Sequence, residues 1–362
     1  MNFDTNYIKR VWCISDIHFG VRANSLEWLK LQKNYFYEFF IPLVKKEYKP
    51  GDVLFVIGDI FDNRQSIQIL VQNTVIDLFE DLSEIFKQIH IITGNHDIYR
   101  KESNEITSLK CLKNIKNVKI YKDTEMLDIN GKSVLMMPWQ KSPEAEIDTL
   151  ERFKGASYLF CHSEVQGIKL NKKSIQQHGV NASAYQFYNK VYSGHIHYAQ
   201  KKKNIRYIGN PFEMTRADMY NKKGIFLLDI QSFKETYFPN NYSPHFIKMN
   251  LKYLYEMTIS ELRNKIENNF VDLYVAGQDA IKYNFSKLMD MLENHAILVE
   301  PYIYDDTEEG NLEDIDSDDY SNFNILKIAN KHLDKSSYEK NMKDKIEFKI
   351  KELYEEVINK TK

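Results

Sequence analysis

The sequence predicts a layered α/β fold, and three observations carry that expectation. Short apolar runs alternate with longer segments of helical period through the first 230 residues. The runs have the length and the β-branched and aromatic content of buried strands. Several later runs follow one another without an intervening helix, so the sheet is mixed or split in two.

The first runs are "VWCIS" (Val11 to Ser15), "VLFVI" (Val53 to Ile57) and "IHIIT" (Ile89 to Thr93). Between them, residues 26–44 and 67–86 repeat apolar side chains at helical spacing, which predicts two helices. "SVLMM", "SYLFC", "KVYS", "IRYIG" and "GIFLLDI" are the later strands. After "PNNYSP" the character changes. Thr258 and Glu261 form a T-x-x-E capping box opening a helix to about Asn268. "FVDLYV", a helix over 279–293 and "AILVEPYIY" complete a small α+β unit. These signals predict four parts: residues 1–242, a small domain at 243–304, an acidic linker at 305–321 and a helical segment at 322–362. In the last part, Met342, Ile346, Ile350, Leu353, Tyr354 and Val357 make one apolar stripe on a charged helix.

Composition bounds the function loosely. Net charge is −2, yet nine acids without a Lys or Arg lie between Asp305 and Asp319. The remainder therefore carries +7, which permits a polyanionic partner. The three cysteines, Cys13, Cys111 and Cys161, show no pairing pattern, as expected of a reducing cytoplasm. No stretch approaches the roughly 20 apolar residues of a membrane helix, and the N-terminus has no apolar signal core, so a soluble, unexported protein is expected.

The chemistry sits just past the strands. "SDIHFG" places Asp16 and His18 after the first run, and "GDIFDNR" places Asp59 and Asp62 after the second. "IITGNHDIYR" delivers Asn95, His96 and Asp97, "FCHSEVQG" His162, and "YSGHIHY" His195 and His197. Ligand sites of α/β sheets gather at the carboxyl ends of strands. Oxygen and imidazole donors without thiolate suit Mn²⁺, Fe²⁺ or Zn²⁺. The donors exceed what one ion needs, and a bridging carboxylate would let them hold two. An imidazole left uncoordinated could protonate a leaving oxygen. Asp97 reads equally well as a cap of the following turn or as part of the site.

In this order, Asp-x-His, Gly-Asp-x-x-Asp, Gly-Asn-His-Asp, His and Gly-His-x-His resemble the calcineurin-like metallophosphoesterase superfamily. Five ordered motifs over residues 16–197 are highly specific. The resemblance implies a two-sheet αββα sandwich with a small α+β cap and a C-terminal helical tail. It also implies one ion held by Asp16, His18, Asp59 and His197, and a second by Asp59, Asn95, His162 and His195. His96 would then be the acid facing the scissile phosphate, with Asp62 hydrogen-bonded to it.

"MMPW" and "YIGNP" narrow the resemblance to SbcD-type DNA repair nucleases, the bacterial and phage counterparts of the meiotic-recombination-eleven nuclease. Length and compact cap look most like phage recombination endonuclease subunits, which would place the protein in the host cytoplasm. Cys161 stands where the family usually has Gly, a departure that alters no ligand. The resemblance implies two Mn²⁺ per chain (Mg²⁺, Fe²⁺ or Zn²⁺ as alternatives) and both duplex exonuclease and single-strand endonuclease activity. It further implies docking of the tail on an SbcC-type coiled-coil ATPase, and a homodimer for which residues 101–117 are the candidate contact. A phosphodiesterase or phosphatase acting on a small molecule or phosphoprotein would use the same metal site. A non-catalytic scaffold is disfavoured because every ligand is intact. Candidate DNA contacts are Arg22, Arg64, Arg100, Lys101, Lys201, Lys202, Lys203 and Arg206, with Tyr99 as a base-stacking residue.

Overall fold

The computed structural model describes residues 3–100, 102–276 and 285–304, with scattered positions between 340 and 349. Residues 1–275 with 279–302 form one compact unit, and 276–278 with 303–362 another. The predicted acidic linker and tail helices lie outside the described residues, except for the scattered positions, which are helical.

Two six-stranded sheets build the larger part of the first unit. In the first, Arg10–Ile14, Asp52–Ile57, Ile89–Ile92 and Val118–Tyr121 run parallel, and Gly224–Asp229 and Glu235–Pro239 close one edge antiparallel. In the second, Lys132–Met137, Tyr158–His162, Lys190–Gly194 and Ile205–Tyr207 are the parallel centre. Glu125–Ile129 and Gln200–Lys202 are its antiparallel edges.

The two-residue period of a strand explains the layering. Val11, Cys13, Val53 and Phe55 share a buried cluster with Val134, Met136, Tyr158 and Phe160, which puts this layer between the sheets. Their neighbours Trp12, Ile14, Leu54 and Val56 face the other way, onto the helical layer that includes Leu29, Phe40, Val75 and Leu78. Leu135, Leu159 and Val191 face the helix Pro143–Arg152 and its surroundings. Helix, sheet, sheet and helix stack in the expected αββα order.

The helix expected over 26–44 is instead three segments. Leu26–Asn34 leads into a π-helical stretch, Tyr35–Phe40, and then Ile41–Glu47. The wider turn lets Tyr35, Phe36 and Phe40 all bury their rings against the first sheet. Sequence reading also missed the small hairpin Ile98–Arg100 with Ser103–Thr107, whose strands are mostly polar.

The smaller part is a three-stranded sheet, with Phe270–Ala276 between Phe246–Asn250 and Leu298–Tyr304. The helix Ile259–Ile266 packs on it through Leu262 and Ile266, and Thr258 with Glu261 forms the expected capping box. An aromatic stack and an ion pair are among the contacts that tie it to the sandwich. Trp28 stacks on Phe270 with centroids 5.2 Å apart. Arg216 grips buried Asp272 through Nε at 2.8 Å and Nη2 at 2.8 Å, and also pairs with Glu300.

Two predictions follow from this packing. Arg216→Met strands the buried Asp272 carboxylate, so urea denaturation should show a loss of about 3–5 kcal/mol, largely recovered when Asp272→Leu is added. Glu146 is buried and accepts the Tyr185 hydroxyl. Burial pushes its carboxyl up to about 7 against the opposing pull of that hydroxyl. A carboxyl raised in the folded state favours its protonated form there. Its contribution is therefore present below its ordinary value and is lost as pH rises toward 7. The unfolding free energy should fall between pH 5 and 8 by up to about 3 kcal/mol from this group, and Glu146→Gln should flatten that part of the profile.

Candidate metal centre

Five strands release their chains at the same end of the sandwich, and three of the releases are abrupt. Asp16, His18, Asp59 and His195 sit at φ of 53°, 51°, 54° and 84°, a left-handed conformation that non-glycine residues seldom adopt. It turns each polar side chain back into the gap between the sheets. The loops meet so closely that Gly58, at φ 83°, and Gly94 could carry no Cβ. One at Gly58 would strike His162, and one at Gly94 would strike Asp59.

The donors form three overlapping groups: Asp16, His18 and His197; His18, Asp59 and His96; and Asp59, His162 and His195. His18 Nε2 lies 3.1 Å from His197 Nε2 and 3.7 Å from Asp59 Oδ2. His162 Nε2 lies 3.2 Å from the same Asp59 oxygen and 3.0 Å from Asn95 Oδ1, which His195 Nδ1 approaches to 2.9 Å. The Asp16 carboxylate accepts the His195 main-chain N–H at 2.9 Å. All seven residues named as ligands thus come together, with Asp59 between the groups. His96 joins them through its main-chain N–H, which donates to Asp59 Oδ1 at 2.8 Å.

The donor chemistry fits divalent cations. His162 donates Nδ1–H to the Ile57 carbonyl at 2.9 Å, which leaves Nε2 facing two oxygens, one of Asp59 and one of Asn95. Burial works against charge on His162, but Asp59 outweighs it and raises the imidazole to about 9. Burial likewise opposes ionised Asp59, yet His162, His18 and His96 hold its carboxyl far below the usual range. Burial, then His162, drives His195 down to about 3, so it stays a neutral donor. The ring of Trp139, from "MMPW", covers His195 at 5.1 Å and His162 at 6.2 Å.

One expected contact takes another form. Asp62 does hold His96, but through its main-chain carbonyl, which accepts Nδ1–H at 2.6 Å. The Asp62 carboxylate instead lies 3.5 Å from His18 Nδ1, without forming a hydrogen bond. A carbonyl can only accept, so Nδ1 of His96 carries the proton and Nε2 is the atom left to meet a substrate.

Asp97 proves more than a turn cap. Its buried carboxylate accepts four main-chain N–H groups, from Asp59 at 2.9 Å, Ile60 at 3.0 Å, Phe61 at 3.2 Å and Gly94 at 3.0 Å. It clamps two motif loops together. Burial and then Asp59 push its carboxyl up to about 6, against those N–H groups. Lys223 was not foreseen at all. Buried, it donates Nζ to the His197 carbonyl at 3.0 Å, to Asp218 at 2.7 Å and to Asn210. A lysine in "NKKG" carries no sequence signal that separates a buried strut from a solvated surface.

The proposed DNA contacts divide. Tyr99 is 43% exposed, with Arg100 beside its ring at 5.9 Å. Lys201 and Lys203 are exposed and Arg64 is half-buried. Arg22 is engaged with the Met214 carbonyl at 3.3 Å and with the Trp28 ring, and Lys202 with the Gly167 carbonyl at 2.8 Å. Arg206 is held by Glu235 at 2.6 Å, so its charge is already met. Lys101 lies outside the described residues.

A two-sheet sandwich that gathers oxygen and imidazole donors at the carboxyl ends of its strands is the framework of a metal-dependent phosphoesterase. The chain belongs to the calcineurin-like phosphoesterase family, whose model matches residues 9–218. Exonuclease subunit 1 of Enterobacteria phage T4 is 29% identical over 237 residues, which are 64% of this chain and 68% of that protein. Among solved structures, an archaeal phosphodiesterase aligns with 64% of this chain and 99% of its own at 13% identity and a TM-score of 0.33. The Pseudomonas putida nuclease MPE aligns with 63% and 86% at 13% identity and a TM-score of 0.29. Membership implies hydrolysis of phosphoesters with divalent metal. Among the described residues, no helix is long and apolar enough to cross a membrane.

The clamp sets a prediction. Asp97→Asn turns an amide N–H₂ toward main-chain donors and leaves some of them without acceptors. Chemical denaturation should show a loss of about 2–3 kcal/mol, and Mn²⁺ titration calorimetry should show weakened binding as Asp59 shifts.

Proposed function

We propose that this protein is a two-metal-dependent DNA nuclease, with exonuclease activity on duplex ends and endonuclease activity on single strands. The observation that carries this reading is the convergence of Asp16, His18, Asn95, His162, His195 and His197 on the buried Asp59 carboxylate, with His96 alongside. Asp16, His18, Asp59 and His197 would hold one ion, and Asp59, Asn95, His162 and His195 the other. Mn²⁺ suits this donor set, with Mg²⁺, Fe²⁺ and Zn²⁺ as alternatives. Bound there, two divalent ions supply charge neutralisation at the phosphate and an activated water nucleophile. The chain's own part is positional. The Asp62 carbonyl fixes the His96 ring so that Nε2 meets the scissile phosphate. The protonated ring then gives its proton to the leaving 3′ oxygen.

The relative in phage T4 is named an exonuclease subunit, which supports a subunit role here as well. In our reading the partner is a coiled-coil ATPase of the SbcC type, which would give access to duplex DNA during recombination and double-strand-break repair. The nuclease works as a homodimer, with residues 101–117 as the candidate contact, in the cytoplasm of a host cell.

Digestion of linear duplex and single-stranded DNA with Mn²⁺, beside His96→Ala, tests the reading. The parent should degrade both, and the variant should lose about 10²- to 10⁴-fold in rate while still binding two ions per chain. Turnover of a small phosphodiester without DNA cleavage would favour a phosphodiesterase instead. Equal rates for parent and variant would remove His96 from the acid role.

A further inference from the structure

Three segments beside His195 and His197 contain no acidic residue: 165–181, 198–206 and 219–224. Hydrogen bonds knit them into one wall. Gln200 accepts from Lys169 N at 2.9 Å and donates to the Lys169 carbonyl at 2.6 Å. Lys202 Nζ reaches the Gly167 carbonyl at 2.8 Å. The Asn221 side chain accepts from Ala199 N at 3.2 Å, two residues past His197. The wall exposes Lys169, Lys172, Lys173, Lys201, Lys203 and Lys222.

One aromatic side chain stands out of it. Tyr220 is 64% exposed and held at φ 63°, a conformation a bulky residue adopts only where its surroundings impose it. The imposing contacts are visible on both sides. Asn221 N donates to the Asp218 carbonyl at 3.0 Å, and Asp218 in turn is locked to Lys223. Lys172 Nζ lies 4.3 Å from the centre of the ring. An exposed ring with the Lys172 ammonium beside it, in segments that carry further exposed lysines and no carboxylate, has the two chemical parts of a single-strand platform: a face for a base and charges for the phosphates.

We infer that this wall binds a single-stranded nucleic acid segment as it enters or leaves the metal centre, with a base stacked on Tyr220 and the backbone following Lys172, Lys169 and Lys201. The inference rests on the nuclease reading and adds to it a strand path on the His195–His197 side. Duplex offers no unstacked base to the ring, so the platform favours unpaired DNA.

Fluorescence anisotropy of a labelled 20-nucleotide oligo(dT) on the full chain, in EDTA to prevent cleavage, tests it against a blunt duplex of equal length. Tyr220→Ala should weaken oligo(dT) binding about fivefold or more and duplex binding less. Lys172→Gln should reduce the slope of log affinity against log salt by about 0.7. Phe187→Ala is the matched control. That ring also lies under a lysine, with Lys154 Nζ at 3.6 Å, but at the amino end of the strand Lys190–Gly194, away from the metal centre. It should bind as the parent does. Thermal unfolding midpoints guard against misfolding, and the more conservative Tyr220→Phe should retain binding. If the parent binds oligo(dT) and Tyr220→Ala stays within twofold of it, or if Phe187→Ala loses as much, the inference is overturned. If the parent binds neither DNA and cleaves neither when Mn²⁺ is supplied, the nuclease reading itself has failed.

Discussion

The site depends on keeping one carboxylate, that of Asp59, ionised in a place almost closed to water. A buried carboxylate ordinarily takes up a proton, because desolvation penalises charge. Here His18 comes from a loop of the first sheet and His162 from a strand of the second, and both face the same Asp59 oxygen. The carboxylate is thus the electrostatic joint between the sheets. Among the described residues no strand of one sheet pairs with a strand of the other, so this link is made by side chains. Asp97 acts on the same joint from behind, by gathering the main-chain N–H groups of the Asp59 loop and of Gly94.

That joint requires a strained backbone. Four of the proposed ligands occupy left-handed conformations, each of which costs roughly 1–3 kcal/mol. The cost is tolerable because each strained residue lies within four residues of the end of a buried strand, whose core clusters fix the direction of the chain. Gly58 and Gly94 serve the same end by letting the loops approach within reach of the Asp59 and His162 side chains. Rigidity of the sandwich and strain of the loops are two aspects of one arrangement.

Much of this was legible in the sequence, for definable reasons. A buried parallel strand is a short apolar run, and a ligand at its end is the first polar residue after it, so the strands and all the converging donors could be read together. The π-helical turn could not, because aromatic residues at 35–40 satisfy ordinary helical spacing equally well. The hairpin after Asn95 was hidden because its strands alternate little and pair mainly with each other. Lys223 and the clamp by Asp97 depend on which main-chain groups a fold brings near, and that has no local signature. The Asp62–His96 contact shows the limit from another side. The two residues do meet, but through the Asp62 carbonyl, since spacing says nothing about whether a side chain or its carbonyl turns inward.

Charge makes the same point at the scale of the whole molecule. A net of −2 argues against a polyanionic partner only if charge is spread evenly, and it is not. Nine acids are confined to one stretch near the C-terminal end of the sequence, while the segments bordering His195 and His197 hold lysines and Arg206 without an acid. At physiological salt, screening confines each charge to about 8 Å, so a bound phosphate responds to the charges beside it more than to the net charge of the chain. Total composition is therefore a poor guide to whether one wall of a site can meet a polyanion.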